Sequence, residues 1–206
     1  MSGIVQVRNA LFSVREKTDE FSEMVKILHE CGVNFYSSGG TATHIRDVVG
    51  LPVTDVADYT GFSALFGHRV VTLHPKVHGG ILYRRDSQED VEEAKSRGIV
   101  PFDFVAVNFY PAQAAMQKEG AKVGDVVEAT DVGGPCMVNA AAKNHDHVAV
   151  VVDEKDYIPA ARQVQNAGGF TLAQRIGLAQ KGHETTGKYY TDLGEFYNGL
   201  KGEPLK

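Results

Sequence analysis

The sequence predicts an α/β protein: a three-layer parallel sheet with helices on both faces and a C-terminal helical extension. Three observations carry this. The first 56 residues run strand, helix, strand, helix, strand with short connections, the order that builds a parallel sheet. Phe102 to Phe109 is almost continuously apolar, as a central strand buried on both faces requires. From Tyr157 onward the pattern is helical, broken at Gly168-Gly169 and restarted at the capping residue Thr171.

Taken in order, Ala10 to Val14 is the first strand and ends in Arg15-Glu16-Lys17-Thr18. Phe21, Met24, Val25 and Leu28 recur at helical spacing, and Gly32 stops that helix. Val33 to Tyr36 is the second strand. Ala42, Ile45, Val48 and Val49 form a second helical face, stopped by Gly50, and Val53 to Val56 is the third strand. Between Asp58 and Arg85 the periodicity fails. Phe62, Leu65, Phe66, Val70, Val71, Leu73, Val77, Ile81 and Leu82 still supply burial there, so the expectation is an ordered loop with short elements, packed at a site. Ser87 to Ala94 restarts a helix, with Ser87 and Asp90 spaced as a cap. Gly124 to Thr130 is helical, and His147 to Val152 is the last strand. The whole chain, 1–206, reads as a single domain, with an α/β core over 1–153 and a helical extension over 154–206. That extension serves either as a layer on the sheet or as part of a subunit interface.

Bulk properties exclude several classes. A net charge of -5 argues against a nucleic-acid binder driven by bulk charge. It leaves room for a small anion, because a local field can oppose the net charge. Cys31 and Cys136 lie far apart without metal-ligand spacing and read as reduced packing residues of a cytoplasmic protein. The first residues lack a signal-peptide apolar core, and no apolar run approaches a membrane span.

Candidate chemistry lies in the polar segments that follow strands, since open parallel sheets bind ligands beyond their carboxyl ends. Ser38-Gly39-Gly40-Thr41 opens a helix and is either a phosphate cradle or a plain tight turn. Lys17 and Arg69 are cations able to supplement it. Asp131-Val-Gly133-Gly134-Pro135 stands before an alanine-rich helix that ends in Lys143-Asn144-His145. Alone, this stretch fits a buried helix with a capping acid and a solvated lysine. His74 and His78 are four apart, but Pro75 and the loop character around it argue against a metal-binding helix, and no acidic ligand stands nearby. No metal site is expected.

Together the motifs carry a resemblance. Ala10-Leu-Phe-Ser-Val, Ser38-Gly-Gly-Thr-Ala, Thr60-Gly-Phe, Arg69-Val-x-Thr-Leu-His-Pro-Lys-Val-His-Gly-Gly-Ile-Leu, Asn108-Phe-Tyr-Pro, Asp131-Val-Gly-Gly-Pro and Ala140-Ala-Ala-Lys-Asn-His stand in order along residues 10–152. In this the chain resembles the IMP cyclohydrolase family, the cyclohydrolase half of a bifunctional purine-biosynthesis enzyme, in stand-alone form. The resemblance implies a methylglyoxal-synthase-like fold. It also implies the substrate 5-formamido-imidazole-4-carboxamide ribonucleotide, a purine ring closure that releases water, no cofactor, a homodimer, and a separate formyltransferase as source of the substrate. It places catalytic groups at Tyr110, Asp131 and Lys143. Asp131 and Lys143 would act as a coupled pair on the amide proton, and Tyr110 on the formyl oxygen. Asn108, Gly133 and Gly134 would hold the carboxamide and ring edge. Ser13, Lys17, Ser38, Gly39, Gly40, Thr41 and Thr72 would hold phosphate and ribose, with Arg69 along the base or phosphate side.

Two departures from the family pattern stand out. Val71 occupies a position where the family usually has a catalytic lysine, and Asn139 one where it has arginine. Two rival readings share the fold: methylglyoxal synthase, and a nucleotide-binding regulatory domain like the allosteric module of carbamoyl phosphate synthetase. The second would keep Ser38 to Thr41 without needing Tyr110, Asp131 and Lys143 together.

Overall fold

A computed structural model of the chain describes residues 3–109, 112–116 and 122–200. Strand β1 (Val5–Gln6) leads to β2 (Asn9–Val14), α1 (Asp19–Glu30) and β3 (Asn34–Ser37). Helix α2 (Gly39–Thr43) continues into a π-helical segment (His44–Val49), followed by β4 (Thr54–Asp55), α3 (Val56–Thr60), α4 (Pro75–Leu82) and α5 (Gln88–Ser96). Then come β5 (Phe104–Asn108), α6 (Ala112–Met116), α7 (Val123–Ala129), α8 (Gly133–Lys143) and β6 (Ala149–Val151). A 3-10 turn (Glu154–Asp156), α9 (Tyr157–Ala167), β7 (Gly169–Phe170) and α10 (Leu172–Gly199) complete the chain. No helix among the described residues is long and apolar enough to cross a membrane.

Five strands form a parallel sheet in the order β4-β3-β2-β5-β6. The period of two along the strands sorts their side chains onto two faces. Ala10, Phe12 and Val14 of β2, Phe104 and Ala106 of β5, and Ala149 and Val151 of β6 face one core, shared with Phe21, Met24 and Leu28 of α1 and Tyr157, Ala161 and Val164 of α9. Leu11, Val105, Val107 and Val150 face the other, with Val77 and Ile81 of α4, Met137, Val138 and Ala141 of α8, and Ala179 of α10. The expected three layers are present. The segment after residue 153 is divided between both cores, because α9 packs on α1 while α10 packs on α8 and β6.

Several expectations need correction. The irregular stretch 58–85 contains a full helix, α4. Pro75 begins that helix instead of breaking it, since the first helical residue needs no N–H donor. His74 is its cap, accepting from the Lys76 N–H through Nδ1 at 3.1 Å. Strands β1 and β7 were not legible: each has two residues, too short for periodicity to register. They pair antiparallel, Val5 with Phe170 and Gln6 with Gly169. The Gly168-Gly169 break is therefore the place where the C-terminal region is tied to the N-terminus. A Cβ on Gly169 would overlap the carbonyl oxygen of Val5. Gly169→Ala is expected to lower unfolding free energy by about 1–3 kcal/mol, since backbone cannot move aside as a flexible side chain can. Chemical denaturation checks it.

Buried Arg175 clamps the same corner. Its guanidinium donates to the carbonyls of Phe170, His145 (2.7 Å) and Asp146 (3.0 Å), satisfying three acceptors around the start of α10.

Candidate active site

The strand order reverses between β2 and β5: the chain steps from β2 to β3 and β4 on one side, and from β5 to β6 on the other. Helices diverge at such a point and leave a crevice beyond the strand carboxyl ends. A two-lobed cleft opens there.

The first lobe, about 680 Å³, lies over the end of β2 and the start of α2, and is lined by Lys17, Gly39, Gly40, Thr41 and Asn108 among others. Ser38 precedes α2 with extended backbone, and Gly39 follows at φ +54°, so the chain turns sharply and presents the first turn of the helix to the cleft. Thr41 is buried. Its hydroxyl donates to the Val14 carbonyl at 2.7 Å and accepts from the Val14 N–H at 3.1 Å. The hydroxyl thereby ties α2 to the end of β2. Lys17 donates to the Arg15 carbonyl at 2.8 Å and lies beside Gly40. Burial, and then the neighbouring charge of Arg15, pull its ammonium below the ordinary lysine range. Asn108, at the end of β5, accepts from the Arg15 N–H at 2.5 Å and so holds the turn that carries Lys17.

The second lobe, about 700 Å³, lies over the start of α8 and is lined by Arg69, Thr72, Gly133, Gly134, Val132 and Tyr197 among others. Asp131 precedes α8. Its Oδ1 accepts from the Gly134 N–H at 3.0 Å, and its own N–H donates to the Tyr189 hydroxyl at 2.8 Å. A Cβ on Gly134 would stand 2.5 Å from Asp131 Oδ2 and 3.2 Å from Val107 Cγ1. Glycine is thus what lets the carboxylate close over the first turn of α8. Arg69 pairs with Glu128 of α7.

Ser13, Ser38, His68, Val71, Glu128, Thr130 and Asp131 line both lobes and mark their junction. All the expected binding residues reach the cleft: Ser13, Lys17, Ser38, Gly39, Gly40, Thr41, Arg69, Thr72, Asn108, Gly133 and Gly134. Asp131 joins them, and Tyr110 lies outside the described residues. Lys143 is the exception. It is the exposed last residue of α8. Asp131 stands before the first turn of that 11-residue helix, and at roughly 1.5 Å of rise per residue the helix ends lie about 15 Å apart. The expected Asp131–Lys143 pair is not formed within this chain. Val71 does line the junction, so the departure from the family pattern falls inside the cleft.

His68, Glu128 and Thr130 were missed by sequence reasoning. Two of them belong to a helix end and the turn after it, where no pattern singles a residue out. His68 sits in a turn closed by the Leu65–Val70 bridge. Outside the cleft, His78 is partly buried with its Nε2 unpartnered, and burial holds its imidazole below the ordinary range. Among the described residues no group of three or more His, Cys, Asp or Glu side chains is arranged for a metal ion.

Known proteins agree with this architecture. A model of the MGS-like domain matches residues 20–136, and one described as the AICARFT/IMPCHase bienzyme matches residues 141–203. The bifunctional purine biosynthesis protein PurH of Parvibaculum lavamentivorans is 44% identical over 97% of this chain, and that of Neisseria gonorrhoeae 40% over 97%. The chain spans only 37% and 38% of the lengths of those relatives. The crystal structure of ForH superposes with a TM-score of 0.79 at 31% identity, over 93% of this chain and 99% of that one. With a family model matched over more than half of its length, the chain belongs to the MGS-like domain family.

Proposed function

We propose that the chain is an IMP cyclohydrolase that closes the purine ring of 5-formamido-imidazole-4-carboxamide ribonucleotide. The observation that carries this reading is the convergence, in one cleft at the topological switch point, of a helix start beside a lysine (Ser38 to Gly40 and Lys17) and a carboxylate beside a glycine-lined helix start (Asp131, Gly133 and Gly134). The first lobe takes the phosphate and ribose, and the second takes the imidazole with its two reacting substituents. Each lobe lies within the size range of small-molecule sites.

The chemistry needs positioned proton transfer more than strong binding, because both reacting groups sit on one molecule. The carboxamide nitrogen forms a bond to the formyl carbon and gives up a proton, while the formyl oxygen gains one. The resulting hydroxyl then takes a second proton and leaves as water, as the former formamide nitrogen loses its hydrogen and the ring double bond forms. A base and an acid therefore each act twice. Asp131 serves as acceptor at the amide, and the Gly133 N–H at the start of α8 stabilises charge on the oxygen. Tyr110, next in sequence to cleft-lining Phe109, takes the role of ordering water near the formyl oxygen, one that the family resemblance implies. Lys143 takes no step in this scheme.

The test is IMP formation from the formylated ribonucleotide by the purified chain, with dihydroxyacetone phosphate as comparison substrate. Turnover of the ribonucleotide alone is expected. Turnover of the triose phosphate alone would reassign the site to methylglyoxal synthesis, and IMP binding without turnover would make it regulatory. The same reading carries a homodimer, checked by solution mass, and a cytoplasmic location.

A further inference from the structure

The junction between the two lobes is where the reacting substituents must lie if phosphate occupies one lobe and the base the other. Among the described residues lining both lobes, the titratable ones are His68, Glu128 and Asp131. Two of these are carboxylates, and Glu128 is engaged by Arg69. Ordinary carboxylates are ionised at neutral pH and make poor proton donors. The ring closure needs a group that both gives and regains a proton, twice per turnover. An imidazole is the side chain that can both give and take a proton near neutral pH.

His68 is also held in an unusual backbone state. Its φ is +70°, and Phe66 (φ +53°) and Gly67 (φ +64°) share the left-handed region. Non-glycine residues are uncommon there and persist where the surroundings impose that backbone. Here the reciprocal bonds between Leu65 and Val70, at 3.0 and 3.3 Å, close the turn and carry His68 to the cleft rim. Val71, three residues on, contributes only an apolar wall at the same junction.

We propose that His68 is the proton-transfer partner of Asp131 in the ring closure, donating to the formyl oxygen and being recharged with the proton removed from the amide. The proposal rests on the cyclohydrolase reading. Charged groups lining the two lobes that His68 borders come from each surrounding element: Lys17 and Arg15 from the turn after β2, Asp55 before α3, Arg69 from the loop of His68 itself, Glu128 from α7, and Asp131 before α8. Tyr197 of α10 adds a phenol at the outer edge of the second lobe.

The test is kcat and KM for IMP formation across about pH 5–8, the range in which imidazole titrates, for the wild-type chain and His68→Asn. Asparagine tolerates the left-handed backbone but cannot exchange a proton in this range. Thermal unfolding of both proteins establishes that the variant is folded. The expected result is a kcat lowered at least about tenfold at neutral pH, a nearly unchanged KM, and loss of the pH limb near the imidazole range. A folded His68→Asn that keeps kcat within about twofold and retains that limb overturns the proposal while leaving the cyclohydrolase reading standing. Absence of IMP formation by the wild-type chain overturns both.

Discussion

Asp131→Asn is expected to lower kcat for IMP formation by about 10²–10³-fold, within the range that a positioned general base supplies, with little change in fold. The asparagine carbonyl can still accept from the Gly134 N–H, so the contact at the start of α8 survives in kind. The backbone bond from Asp131 N–H to Tyr189 does not involve the side chain at all. What disappears is the ability to take up the amide proton. A loss in kcat at unchanged KM, with an unfolding midpoint close to wild type, is the expected signature of an interaction made only in the transition state. If kcat survived, the carboxylate would be an element of helix capping and nothing more.

Lys17→Met is expected to act on the other parameter. A charge-assisted bond to phosphate contributes about 1.5–3 kcal/mol, so KM should rise by roughly 10–100-fold while kcat changes little. The apolar stem of methionine keeps the packing against Gly40. The lowered ammonium pKa adds a pH dependence whose sign is determined: as pH rises, Lys17 loses its charge earlier than an ordinary lysine. Phosphate binding by the wild-type chain should therefore weaken on the alkaline side, and the Lys17→Met variant should lack that limb. Inhibition by IMP measured over pH checks both statements. An unchanged KM would place the phosphate away from the start of α2.

The parallel sheet was legible because the middles of β2, β5 and β6 are buried on both faces, and such strands read as near-continuous apolar runs. The start of α8 was legible for a local reason, since Gly133, Gly134 and Pro135 each restrict what backbone can form there. The opening stretch from Asp131 to His145 was harder. Its two ends carry an acid and a base, and the family pattern counts both as catalytic, yet a straight helix holds them apart. Thr41 shows a related limit on a smaller scale: its type and place do not reveal that its hydroxyl bonds to Val14. His68 was illegible because a left-handed turn leaves no periodic trace, and only the Leu65–Val70 closure reveals where the imidazole goes.

By itself, the sequence determined the layer architecture, the strand and helix order from residue 10 through residue 56, the carboxyl rim as the place for ligands, and most of the residues that line it. These follow from burial periodicity and local backbone restriction, which act over a few neighbouring residues. Tertiary structure decided which of the gathered groups share one cavity. It placed Asp131, His68 and Val71 at the junction and Lys143 at the far end of α8, and joined β1 to β7 across the length of the chain. Those outcomes depend on distances between segments remote in sequence, set by helix length and sheet order.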